Sequence, residues 1–294
     1  MTTVCIIGAG ELGGAVAHAL ARGGRVGRLL LIDAAGSVAS GKALDIQQSG
    51  AIEGCHALLS GTDDFTRVTA CNVCVIADRA GSPAGEWHGN AEWHGNAEWQ
   101  GDEGLAMTIR LAPFLADAPV VFAGPAQSEL LRLLVREGGL RRERVVGSAP
   151  EAFVSAVTAI VAMEARCSPD EVSLAVLGSP PSGFVIPWSE ASIAGYAVER
   201  VLSQVQLTRL AARAASLWPP GPFALGLAAA RVTEAILTSS RRAFSVLAVL
   251  GGEFGVRGRV GTLPALLSTT GIVHARIPTL NTRERVQLET ALGL

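Results

Sequence analysis

Val4-Cys5-Ile6-Ile7-Gly8-Ala9-Gly10-Glu11-Leu12-Gly13 is a short apolar run ending on a G-x-G-x-x-G turn. Thr3 to Ile7 reads as a strand. Glu11 to Arg22 reads as a helix, with Leu12, Val16, Ala17 and Leu20 at helical spacing. Arg28 to Ile32 is a second strand, ending on Asp33. Together they make one βαβ unit, and each glycine has a physical task there. Gly8 permits the tight turn, Gly10 lets backbone approach a pyrophosphate, and Gly13 allows close packing of helix on strand. The helix N-terminus offers N–H groups and partial positive charge to phosphate. Asp33 follows Gly13 by about 20 residues, where a carboxylate accepts from an adenosine ribose and repels a 2′-phosphate. The expected cofactor is therefore NAD, held by Gly8, Gly10, Glu11, Leu12, Gly13, Asp33 and Ala77. A turn that keeps its shape for packing alone is the other reading.

Further strands are expected at Val73 to Ile76, Pro119 to Phe122 and Val145 to Gly147. Helices are expected at Ser37 to Ser49, Leu105 to Leu115 and Ser128 to Glu137. Such alternation gives a parallel sheet covered on both faces. The 294 residues suffice for one large domain or two ordinary ones. With 49% hydrophobic and 17% charged residues, the chain has ample material for a core. No long uninterrupted apolar run suggests a membrane span, and no basic leader precedes the first strand. A net charge of −2 gives no reason to expect nucleic acid or membrane partners.

Cys71-Asn72-Val73-Cys74 has CxxC spacing inside a strand-like run. Buried core thiols are the main reading, and redox or metal chemistry the alternative. A reducing cytoplasm is the expected compartment. Lys42 is the only lysine, which reads as compositional bias toward arginine.

Leu30-Leu31-Ile32-Asp33 with Gly41-Lys42-Ala43-Leu44-Asp45-Ile46, Arg144-Val145-Val146-Gly147-Ser148 and Val176-Leu177-Gly178 with Pro187-Trp188-Ser189 carry a shared order of motifs. So do Phe223-Ala224-Leu225-Gly226-Leu227 with Glu234-Ala235-Ile236-Leu237, and Leu263-Pro264 with Gly271-Ile272-Val273. In that order they resemble the lactate/malate dehydrogenase family over the whole chain. The resemblance implies an α/β fold. Residues 1–146 would form a Rossmann NAD-binding domain with a parallel sheet and a mobile loop at 78–104. Residues 147–294 would form a mixed α+β substrate domain. It also implies a homodimer or homotetramer, using the helix from Ser37 to Ser49.

Reduction of a 2-keto acid needs a general acid, a polarising cation and a guanidinium that clamps the carboxylate. The family supplies these as a His supported by an Asp, an Arg on a mobile loop and a second Arg in the substrate domain. The resemblance puts the His position at Pro180, the Asp position at Phe153 and the Arg positions at Ala156 and Gln100. None of these residues can serve. The family's Asn-Pro appears as Gly124-Pro125. No His lies between His94 and His274, no Asp between Asp117 and Asp170, and no Arg between Arg144 and Arg166. Arg231 lies six residues past Leu225, roughly 240° around a helix turning about 100° per residue. It should therefore face away from the pocket side at Gly221 and Leu225. Losing one acid–base group usually costs about 10²–10⁴-fold.

Residues 86 to 97 repeat Glu-Trp-His-Gly-Asn-Ala, followed by Glu98-Trp99-Gln100. Gly85, Gly89, Gly95, Gly101 and Gly104 argue for irregular backbone through this loop. His88 and His94 with the neighbouring glutamates match no standard metal spacing. Trp87, Trp93 and Trp99 could anchor a partner, but a solvated insertion is the plainer reading. His18, His56 and His274 read as structural or surface groups, with His274 following a strand. The expectation is a dehydrogenase-like, NAD(H)-binding protein, without the catalytic set and without a bound metal, in a binding or scaffold role. The alternative is an active NAD-dependent oxidoreductase on an unusual, small apolar or 2-keto substrate.

Overall fold

The computed structural model describes residues 1–79, 99, 101–181 and 183–294. β1 (Thr3–Ile7) passes through the glycine turn into α1 (Glu11–Gly23), and β2 (Arg28–Ile32) leads into α2 (Gly36–Glu53). Then come β3 (Leu58–Thr62), β4 (Val73–Ile76), α3 (Gly101–Leu115), β5 (Val120–Phe122), α4 (Ser128–Arg136) and β6 (Val145–Gly147). These six strands lie in the order β3-β2-β1-β4-β5-β6, all parallel. The strands are apolar because both faces are covered. Val4 and Ile6 of β1 enter one core cluster, and Cys5 and Ile7 enter the other, as a two-residue period requires. Strand order reverses between β1 and β4. The crevice at their carboxyl ends is where such sheets bind ligands.

The second half runs α5 (Ala149–Ala165), β7 (Val172–Ser173), β8 (Leu177–Ser179), β9 (Gly183–Val185), β10 (Ser192–Ile193) and β11 (Tyr196–Ala197). It continues through α6 (Val198–Val201), α7 (Gln204–Ala214), α8 (Pro222–Thr238), β12 (Ala243–Gly251), β13 (Arg257–Ser268), β14 (Gly271–Ala275) and α9 (Thr282–Ala291). Leu247 of β12 pairs with Gly147, which extends the parallel sheet by antiparallel strands. The order continues β6-β12-β13-β8-β9, with β14 also on β13. Strands β11-β10-β7 form a small second sheet. Among the described residues, no helix is long and apolar enough to cross a membrane.

Several expectations need correction. Gly101 and Gly104 are helical, so α3 starts four residues earlier than Leu105. Gly104 is buried, and a Cβ there would lie 2.9 Å from Leu130 Cδ2; it is the close approach of α3 to α4 that calls for glycine. The strand-like run from Cys71 starts only at Val73, because a 3-10 turn over Phe65–Ala70 precedes it. His274 lies within β14 rather than after it. The short β3 and the long β12 were not anticipated as strands. The apolar run of β12 is buried along nearly its whole length and shows no alternation that separates it from a buried helix. The repeat with His88, His94, Trp87 and Trp93 lies outside the described residues, as does Gln100.

Candidate functional site

The glycine turn lies at the strand-order reversal. Gly8 has φ +93° and donates to Ile32 O at 2.8 Å, which closes the turn against β2. A Cβ on Gly13 would lie 2.0 Å from Gly8 O, so the helix start packs directly on the turn. Leu12 is fully buried, Glu11 is exposed, and Ala77 is fully buried at the end of β4. Asp33 is buried at the end of β2. Its Oδ2 accepts from Ala9 N at 2.9 Å and its Oδ1 from Ala35 N at 2.9 Å.

Asp78, immediately after Ala77, enters this site from β4. Its carboxylate accepts from Gly13 N at 2.7 Å and Leu12 N at 3.3 Å, at the amino end of α1. A Cβ on Gly10 would lie 2.5 Å from Asp78 Cγ, so the space a side chain would take at Gly10 holds the Asp78 carboxylate. Burial pushes Asp78 above the ordinary carboxylate range. The two N–H donors and the Lys42 ammonium oppose that shift, and Asp33 adds to it. Lys42 reaches from α2 and donates from Nζ to Gly10 O at 2.8 Å. Asp78 and Lys42 were missed as site residues. The glycine spacing gives the turn but does not show which side chain from the adjacent strand enters it.

Pro180, Phe153 and Ala156, three of the four residues at the expected catalytic positions, are apolar, and the fourth, Gln100, lies outside the described residues. Phe153 of α5 is buried and stacks on Phe184 at 4.3 Å, with Trp218 edge-on at 6.1 Å. Phe184 belongs to β9 and pairs with Gly178 of β8. Pro180 follows β8 and is buried, while Ala156 is half-buried one turn beyond Phe153. Glu151 and Glu164 are the only ionisable residues of α5. The buried Glu151 carboxylate accepts from Ser245 N at 3.1 Å and from Arg242 Nη2 at 3.2 Å. Leu225 points into the core. Arg231 instead lines a groove of about 1300 Å³ with Arg22, Glu151, Glu234 and Arg242.

Arg79 is bound to Glu103 of α3 at 2.7 Å. Trp99 packs inside the chain's own core with Met107, Leu111 and Leu130. Cys5 and Cys74 are register partners on β1 and β4, both buried, with the half-buried Cys71 beside Cys5. All five cysteines are free. Among the described residues, no cluster of three His, Cys, Asp or Glu could hold a metal ion.

No family model matches the chain. A malate dehydrogenase of Roseiflexus castenholzii is 25% identical over 290 residues, covering 96% of this chain and 92% of that protein. Among solved structures, the malate dehydrogenase of Salinibacter ruber superposes with TM-score 0.83 at 23% identity, covering 99% of this chain and 94% of that one. A lactate dehydrogenase of Cryptosporidium parvum, complexed with lactic acid and NAD, gives TM-score 0.85 at 21% identity, covering 99% and 95%. The solved structures at these identities show the shared fold, and the full-length sequence relatives carry the malate dehydrogenase name. Over nearly its full length the chain is similar to malate dehydrogenases and shares the fold of lactate and malate dehydrogenases.

Proposed function

We propose that this chain is a non-catalytic relative of the lactate/malate dehydrogenases, with a binding or scaffold role in place of 2-hydroxy-acid dehydrogenation. The observation that carries the reading is the stack of Phe153 on Phe184 beside Trp218. The resemblance would put a carboxylate at Phe153 to orient an imidazole. A buried aromatic ring neither accepts that hydrogen bond nor stabilises an imidazolium, and Pro180 has no proton to give. Ala156 offers no planar donor pair to a substrate carboxylate. The losses act together, because a proton donor without an anchored substrate has nothing to protonate.

Asp33 and the Gly8 turn suit the adenosine half of NAD. The diphosphate half does not fit, because Asp78 already takes two of the N–H groups in the first turn of α1. Assembly into a homodimer or homotetramer rests on α2, where Val38, Leu44 and Ile52 are exposed. The free cysteines suit a reducing compartment such as the cytoplasm.

The test is NADH oxidation with pyruvate, oxaloacetate and a panel of apolar ketones. The expected result is the enzyme-free background with every substrate. Sustained turnover of any of them would overturn the non-catalytic reading.

A further inference from the structure

We infer that Asp78 is a built-in occupant of the anion seat at the amino end of α1, and that this carboxylate excludes the diphosphate of a dinucleotide. The inference deepens the non-catalytic reading by assigning the block at the nucleotide site to one residue.

Three independent features converge on that carboxylate. First, its oxygens hold the Gly13 and Leu12 N–H groups, which belong to the set that binds phosphate at a helix N-terminus. Second, it fills the space in front of Gly10. A glycine there ordinarily lets a ligand approach the backbone, and here the approaching group is part of the chain. Third, its charge is answered from within. Lys42, the single lysine, reaches over the turn to Gly10 O and favours the ionised form of Asp78.

The amino end of α1 therefore already serves an anion. A diphosphate arriving there meets like charge and fewer donors. Asp78 is 5% exposed and held by two N–H groups of α1, so a ligand at this seat must first displace it from both donors. Its position at the reversal of strand order makes the exclusion specific to the dinucleotide crevice.

The experiment compares wild type with Asp78→Ala and Asp78→Asn, titrating each with NADH, ADP-ribose and adenosine. Binding is read by fluorescence for NADH and calorimetry for the others. Thermal melts establish that each variant is folded, and Asp78→Asn serves if the alanine variant is not. The expected result is a gain of at least about tenfold in NADH and ADP-ribose affinity in the variants. Adenosine affinity should change by less than about twofold, since it carries no phosphate. Micromolar NADH binding by wild type, unimproved in either variant, would overturn the inference. So would an equal gain for all three ligands, which reports general loosening. Variants that bind NADH and still leave keto acids unreduced would support both proposals. Tight wild-type binding without turnover would sink this one alone.

Discussion

Asp78 and Gly13 are 65 positions apart in sequence, yet the carboxylate of one accepts the backbone N–H of the other at 2.7 Å. That bond ties the end of β4 to the start of α1, at the crevice where the parallel strands reverse order. It also makes an acid buried at a helix N-terminus part of the folded state.

Stability should carry the signature of that acid. Burial raises Asp78 above its ordinary value of 3.8. The folded state therefore holds the proton more tightly than the unfolded chain does, and stability falls as pH rises through the window just above 3.8. Asp78→Asn should remove this component. Urea midpoints measured from pH 3.5 to 7 should show the wild-type midpoint falling relative to the variant as pH rises. Parallel curves would contradict the assignment.

The glycines of the turn should differ in what relieves them. Gly13→Ala sets a Cβ 2.0 Å from the Gly8 carbonyl, a backbone atom that no side-chain change can move. A cost of about 3 kcal/mol, or failure to fold, is expected. Gly10→Ala meets the Asp78 carboxylate instead, at 2.5 Å. Gly10→Ala combined with Asp78→Gly should therefore be less destabilised than the sum of the two single variants. Chemical denaturation of the four proteins in that cycle measures the coupling, and strict additivity would place Asp78 elsewhere.

Most of the fold was legible in the sequence, because apolar spacing and the glycine turn are local. β1, β2 and β6 begin and end where that spacing puts them. What was not legible depended on packing partners. Gly104 looked like a helix breaker until α4 came within touching distance. β12 carried an apolar run with no alternation. At the site, the residues Pro180, Phe153 and Ala156 could be read along the chain. The contacts of Asp78 with Leu12 and Gly13, and of Lys42 with Gly10, could not, because each joins segments far apart in sequence.

Phe153 should behave as a core residue. It is 1% exposed and packs from α5 against the rings of Phe184 and Trp218. Phe153→Ala should cost about 3–5 kcal/mol of unfolding free energy. Phe153→Asp should cost at least as much, because it buries a carboxylate without a partner. A well-folded aspartate variant of wild-type stability in urea denaturation would mean that the pocket is open and polar.

Glu151 offers a contrast between an acceptor and a charge. Burial pushes its carboxyl up, while Arg242 and the Ser245 N–H pull it down. Glu151→Gln keeps an acceptor for Ser245 and should change stability by less than about 1 kcal/mol. Glu151→Ala leaves the Ser245 N–H unmatched in the core and should cost about 1–3 kcal/mol. Thermal melts of the two variants check the ordering, and equal losses would show that charge rather than hydrogen bonding holds this contact.

The most direct measurement is isotope transfer. Purified protein is incubated with NADH deuterated at the transferable position and with oxaloacetate, and malate is analysed by mass spectrometry. No deuterated malate is expected above the protein-free control, however long the incubation. Deuterated malate in excess of the protein present would contradict the non-catalytic reading, since hydride would have passed through a pocket lined by Phe153, Ala156 and Pro180.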